Sequence, residues 1–174
     1  MSSFDLKKLL QDIKNYKSFK RAFPGTVISF VYKPSIQKIY DSIPVVLGIR
    51  IIGRHIIGCN IKLIPMRERI KIVEEMFKNK NKAEPKVVLN AILRGKYSKQ
   101  LVACLEIYDI KDIKSQIKVL GEDNWLDFSL SNYNSFKNGN RAMINKIVKE
   151  KIKRIENPMK YMIAVIRNTI KRKK

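Results

Sequence analysis

Val45–Ile52 (VVLGIRII), the pair Gly53-Arg54, His55–Ile64 (HIIGCNIKLI) and Pro65 follow one another in the chain, and their reading decides the fold. Two apolar runs rich in β-branched residues flank a glycine turn. That pattern predicts strands at Val45–Ile52 and Ile56–Ile64, joined as a hairpin across Gly53–His55. Pro65 ends the second strand. Its fixed φ and missing N–H suit the first turn of a helix, expected from about Met66 to Lys78 with Ile70, Val73 and Phe77 on its apolar face.

Upstream, Thr26–Tyr32 (TVISFVY) reads as another strand, closed by Pro34 and preceded by a Phe23-Pro-Gly25 turn. Ser2 or Ser3 is expected to cap a first helix running to about Phe19, with Leu6, Leu9, Leu10, Ile13 and Tyr16 on one face. Downstream, Pro85 opens a helix bearing Val88, Leu89 and Ile92, which stops near Gly95. Leu101–Ile107 fits helix and strand equally. Ile113–Leu120 alternates as a strand does, and Gly121 ends it. Trp125, Leu126 and Phe128 form an apolar knot, read as a core anchor, and the Asn-rich segment 132–140 reads as a loop. Arg141–Ile155 predicts a helix with Ile144, Val148, Ile152 and Ile155 on one face. Asn157-Pro158 caps a last helix whose stripe is Met159, Met162, Ile163, Ile166 and Ile170. The expected architecture is α+β. An N-terminal helix occupies residues 1–22, and a small antiparallel sheet or barrel flanked by helices fills 23–140. A basic helical C-terminal appendage follows over 141–174.

Composition narrows the function. Apolar residues make up 45% of the 174, enough for a core, while 37 Lys and Arg oppose 15 Asp and Glu for a net +22. A field of that size favours a polyanionic partner. Lysine usage in an AT-rich genome is the plain alternative; it accounts for the Ile and Asn better than for the scarcity of Glu. Two cysteines and one histidine give no disulfide framework and too few ligands for a zinc site, so no metal and no cofactor is expected. The opening residues lack an apolar signal core, and no apolar run is long enough to span a bilayer. A reducing cytoplasm, or a particle assembled there, is the expected setting, with no membrane partner.

No catalytic residue stands out. Glu106, Asp109 and Lys111 offer an acid–x–Lys pattern that a metal nuclease could use, yet Asp112-Ile-Lys114 repeats it by chance three residues later. His55 sits in a turn and reads as solvated. No glycine-rich phosphate loop is present. Tyr16, Phe19, Phe23, Phe30 and Tyr32 interleave with Lys14, Lys17, Lys20, Arg21 and Lys33; core aromatics are the favoured reading over base-stacking ones.

From Lys146 to Lys174, 11 Lys and Arg face two Glu, a local +9, which leaves +13 of the total on residues 1–145. Both tail and body are therefore expected to meet phosphate. In the tail the candidates are Lys153, Arg154, Lys160, Arg167, Lys171 and Arg172. Of these, Lys160, Arg167 and Lys171 lie opposite the apolar stripe, as in any amphipathic helix with a Lys-rich outer face. In the body they are Arg50, Arg54, Lys62, Arg67 and Arg69, around the hairpin and the helix after it.

One ordered set of motifs is more specific. Phe23-Pro-Gly25 is followed by Val27–Tyr32-Lys33-Pro34, then Tyr40-Asp41-Ser-Ile-Pro44-Val45-Val46, then Gly58-Cys-Asn60-Ile-Lys-Leu-Ile-Pro65-Met-Arg67. With Tyr97-Ser-Lys-Gln-Leu, Asn124-Trp125 and Phe128, this resembles a virion protein family of T4-like tailed bacteriophages, the DNA end protectors of the head–neck region. The likeness spans residues 23–136 at scattered positions. The family's His-Tyr is Lys62-Leu63 here, and its Arg after Tyr-Asp is Ser42, so any role of those two residues does not carry over. Gly25 and Gly58 read as turn or close-approach positions, and Asp41 and Asn60 as groups that satisfy backbone beside turns.

The resemblance implies a structural virion protein, in the host cytoplasm during assembly. It would bind DNA non-specifically and contact portal, neck or tail proteins. The alternatives are a connector, tail or baseplate component without a DNA role, a head-completion nuclease built on Glu106, Asp109 and Lys111, and a ribosomal protein, for which no motif speaks.

Overall fold

The computed structural model describes residues 2–4, 8, 13–36, 39–80, 84–121, 124 and 135–171. Its strands are β1 (Ser2–Phe4), β2 (Val27–Ser29), β3 (Tyr40–Asp41), β4 (Val45–Ile52), β5 (His55–Asn60), β6 (Leu105–Asp109), β7 (Ile117–Val119) and β8 (Phe136–Lys137). Its helices are α1 (Ile13–Ala22), α2 (Met66–Lys80), α3 (Pro85–Arg94), α4 (Ser98–Ala103), α5 (Arg141–Arg154) and α6 (Pro158–Lys171). Six strands form one open sheet in the order β1-β7-β2-β4-β5-β6, and β3 pairs with β8 in a separate ribbon. Every pairing is antiparallel. The fold is α+β, as expected.

The β4–β5 hairpin is the centre of the sheet, and both its faces are covered. Val45, Leu47, Ile49, Ile57 and Cys59 meet α2 to α6 on one side. Val46, Ile51 and Ile56 meet Phe23, Phe30 and Tyr108 on the other, beneath Tyr16 and Phe19 of α1. A strand buried on both faces has no polar side to alternate with, which is why these runs are continuously apolar. Each fully buried Ile contributes about 1.5–3 kcal/mol by leaving water. The aromatics of residues 16–32 are thus core, as read.

Three helices start at a proline, Met66 following Pro65, and Pro85 and Pro158 serving as first residues. Asn140 Oδ1 accepts from Met143 N at 2.9 Å, and Asn157 Oδ1 accepts from Lys160 N at 3.0 Å, so both terminal helices carry side-chain caps. The ambiguous segment 101–107 divides into the end of α4 and most of β6. Ile56–Ile64 is a strand only to Asn60, after which Ile61–Leu63 tightens into a 3-10 turn.

Four expectations are corrected. Ser2–Phe4 is an edge strand paired with Ile117–Val119 and not a helix cap, and the described helix Ile13–Ala22 runs past Phe19, while Leu6, Leu9 and Leu10 lie outside the described residues. The C-terminal helices are no appendage. Ile144, Val148, Ile155 and Met162 belong to the same core as the hairpin. On α6, Ile163 and Ile170 are exposed, and the inward row is Met159, Met162, Val165, Ile166 and Thr169. Thr169 tolerates burial because its hydroxyl donates to Val165 O at 2.9 Å. On α2, Ile72 and Met76 join Val73 inside, while Ile70 is half-buried. The Phe77 side chain, the Trp125–Phe128 knot, residues 132–134 of the 132–140 loop and Arg172 lie outside the described residues. Among the described residues, no helix is long and apolar enough to cross a membrane.

Gly25 fixes one tertiary joint. Its φ is +88°, a left-handed value that glycine adopts without strain, and a Cβ there would collide with the Pro85 carbonyl. The turn after α1 therefore packs directly on the first residue of α3. Gly25→Ala is expected to lower unfolding free energy by about 1–3 kcal/mol, read by urea denaturation, through strain and collision together. An unchanged midpoint would contradict that joint.

Candidate nucleic-acid interface

The joint at Gly25 holds α1 and α3 as the walls of a groove of about 880 Å³. Ile49, Leu89, Leu93 and Met162 form its apolar floor. Lys17, Lys20 and Arg21 of α1, Arg50 of β4 and Lys86 of α3 line it with charge, all exposed. The lining contains no carboxylate, and no described carboxylate pairs with any of the five.

Local sequence explains each wall. On α1, Tyr16, Phe19 and then Phe23 pack inward, which leaves the 17–20–21 row outward at helical spacing. On α3, Val88, Leu89, Ile92 and Leu93 are buried, and Lys86 stands in the first turn outside them. Arg50 owes its position to a β-bulge. The register passes from Gly48↔Gly58 to Arg50↔Ile57, so Ile49 and Arg50 together oppose one residue. A regular strand would send neighbours to opposite faces; the bulge brings both to the groove.

The other anticipated phosphate ligands divide. Arg67, Arg154, Lys160, Arg167 and Lys171 are exposed, as expected. Lys153 is exposed but meets Glu150 at 3.3 Å, and Arg54 meets Asp109 at 3.2 Å. Surface pairs of this kind are weak and can yield to phosphate. Lys62 and Arg69 cannot serve as phosphate ligands, because both are buried.

Lys62 Nζ donates to Asp41 Oδ1 at 3.2 Å, to Ile43 O at 2.9 Å and to Ser135 Oγ. Burial pushes its ammonium below the usual lysine range, and the Asp41 carboxylate opposes that shift. Arg69 lies on the inward row of α2 with Ile72, Val73 and Met76. Its guanidinium donates to Lys62 O at 2.9 Å and to Ile64 O at 3.0 Å, tying the helix to the turn that precedes it. These carbonyls would otherwise need other donors, so Arg69 is a structural clamp. Asp41 and Asn60 do satisfy backbone beside turns, accepting from Ile43 N and Lys62 N.

The nuclease constellation is not assembled. Glu106 and Asp109 are three apart on β6 and project to opposite sides. Glu106 faces Lys151 at 3.8 Å, and Asp109 faces Arg54, His55 and Lys111. Among the described residues, no three His, Cys, Asp or Glu side chains gather to hold a metal. His55 is half-buried beside Asp109, at 3.9 Å, and not a solvated turn residue. Burial pushes the Cys59 thiol up to about 12 and Cys104 up as well, so both stay protonated and unreactive near neutral pH.

Lys17, Lys20 and Arg21 appeared in the sequence only as company for the aromatics, and Lys86 not at all. The usable signal was the outward row on α1. Comparison with protein-family models, with curated proteins and with solved structures finds no match for this chain.

Proposed function

We propose that the protein binds double-stranded DNA through its phosphate backbone, without reading sequence and without chemistry on it, as a structural component of a phage particle. The observation that carries this reading is the five-cation groove free of carboxylates. A run of phosphates laid along it would release counterions and meet charge from three separate elements. The apolar floor contributes no base-edge donors or acceptors, and the single amide in the lining, Asn90, offers little by which to tell sequences apart. The exposed cations of α6 extend the field beyond the groove. The phage setting, with portal, neck or tail proteins as neighbours and DNA ends as the protected target, rests on the likeness of residues 23–136 to end protectors.

Duplexes of unrelated sequence should bind with similar affinity. The affinity should fall with salt at a log–log slope of about −4 to −8, the lower value matching the groove cations alone. Fluorescence anisotropy at several salt concentrations measures it. A flat response, or strong preference for one duplex, overturns the proposal. A connector role without DNA has one observation in its favour. Ile163 and Ile170 stand exposed, 40% and 45%, one heptad apart on α6, where a protein neighbour would cover them.

A further inference from the structure

The basic groove has one closed end. The turn after α1 and the first residue of α3 touch at the Gly25–Pro85 joint, where a Cβ on Gly25 would meet the Pro85 carbonyl. Gly25 N also donates to Gly48 O at 2.9 Å, which brings the middle of β4 to the same point. Walls and floor therefore converge there, and Pro24 lines the groove beside the joint. A strand of nucleic acid can enter between α1 and α3 from the far side, but it cannot run on through the joint.

Charge is gathered at that closed end. Arg21 lies four residues before Gly25, Arg50 two after Gly48, and Lys86 directly follows Pro85. Lys17 stands one turn further out on α1 than Arg21. The three inner cations are exposed, and no described carboxylate pairs with them. Glu84, the carboxylate just before Pro85, is exposed and outside the lining. The first turn of α3 carries no side-chain cap, but α1 ends beside the same joint, so its carbonyl end offsets that helix start. The side chains set the sign of the site.

A phosphodiester strand spreads its charge evenly, one negative charge to each phosphate. A phosphate monoester carries about −1.5 to −2 at neutral pH on three terminal oxygens. Three cations that converge from separate elements match that single dense charge. Two of them are arginines, whose planar forks can each donate twice to phosphate oxygens. A monoester also sits at the end of its molecule, which is what a groove closed at one end admits.

We infer that the closed end of the groove binds a phosphate monoester through Arg21, Arg50 and Lys86, with the rest of the ligand directed outward between α1 and α3. The inference rests on the reading of this groove as a phosphate-binding site. The 5′-phosphoryl terminus of DNA and a free mononucleotide offer the same chemistry.

Fluorescence anisotropy tests it with two loop-labelled DNA hairpins that differ only in a 5′-phosphate or a 5′-hydroxyl at the single open end. The phosphorylated hairpin should bind the full chain about tenfold more tightly near 0.1 M salt. Arg50→Gln combined with Lys86→Gln should bring the two hairpins to equal affinity. Lys17→Gln should weaken both by a similar factor and keep their ratio. Melting temperatures should not change, since these side chains are exposed. Competition by thymidine 5′-monophosphate, with thymidine as control, distinguishes the sources. A mononucleotide that binds as tightly as the phosphorylated hairpin makes a free nucleotide the ligand, and weaker binding makes it the DNA terminus; either upholds the monoester site. Equal affinity of the native protein for both hairpins would overturn the inference and leave non-specific DNA binding standing. So would a tenfold preference that survives in the double variant. Binding of neither hairpin, and none of the mononucleotide, would overturn both.

Discussion

Glutamate at positions 17, 20, 21, 50 and 86 together is expected to lower duplex affinity by at least about 100-fold near 0.1 M salt, with the melting temperature almost unchanged. The five side chains are exposed and pair with no described carboxylate, so their reversal breaks no internal contact. The loss comes from two sources. Phosphate contacts disappear, and the new carboxylates repel the backbone that the groove would seat. The salt slope should fall in magnitude by about one for each contact removed. Reversal of Lys160, Arg167 and Lys171 should do less, because none of the three lines the groove. If the α6 triple reversal abolishes binding and the groove variant binds normally, the interface lies on the C-terminal helix instead.

Asp41→Ala should be the most damaging single change to stability, at about 3–5 kcal/mol at neutral pH. The Asp41 side chain is 1% exposed and the Lys62 side chain 5%, with their charged atoms 3.2 Å apart. Asp41 also accepts from Ile43 N, Asn60 Nδ2 and Ser135 Oγ. Alanine leaves a buried ammonium without its counter-ion and several donors without an acceptor. The pH dependence follows from Lys62. Its pKa is lowered in the folded protein by burial, and further once Asp41 is gone. Between that lowered value and the ordinary lysine value, the unfolded chain binds the extra proton, so stability rises with pH across that window. The Asp41→Ala deficit should accordingly shrink as pH rises from neutral towards the ordinary lysine range, a trend that urea denaturation reads. Pairing it with Lys62→Met should recover much of the loss, because an apolar pair of similar size needs no desolvation of charge. A single-variant loss under about 1 kcal/mol, or one that grows with pH, contradicts a buried charged lysine.

These two predictions differ in how far their residues could be read in advance. The hairpin was legible because its apolar runs are bounded by local punctuation, Gly53 in the turn and Pro65 after the strand. The prolines at 65, 85 and 158 announced helix starts for a local reason, the missing N–H in a first turn. Ser2–Phe4 was not legible. Its partner, Ile117–Val119, lies more than a hundred residues away, and nothing nearby in the sequence marks such pairing. Lys62 and Arg69 were read as cationic surface because residue type reveals charge and not burial. What makes a buried Lys62 tolerable is Asp41, on the distant strand β3. What buries Arg69 is its place on the inward row of α2, one turn before Ile72 and Val73.

The groove was hidden for a related reason. Its cations come from residues 17 to 86, and no window of sequence contains them all. Arg50 was singled out, but the alternation of a regular strand would send it to the face opposite Ile49. Only the bulge, a two-against-one register with Ile57, places it beside Ile49 in the floor. Gly25 was expected to serve a turn. It does, and it also seats Pro85 and so sets the spacing of the walls.

Lysine-reactivity footprinting tests the central claim most directly. The full chain is labelled with an amine-reactive acylating reagent, alone and with saturating duplexes of two unrelated sequences, and the modified sites are quantified by mass spectrometry. Lys17, Lys20 and Lys86 should be protected equally by both duplexes, and the buried Lys62 should stay unlabelled throughout. Full labelling of Lys17, Lys20 and Lys86 in the presence of bound DNA would contradict the account.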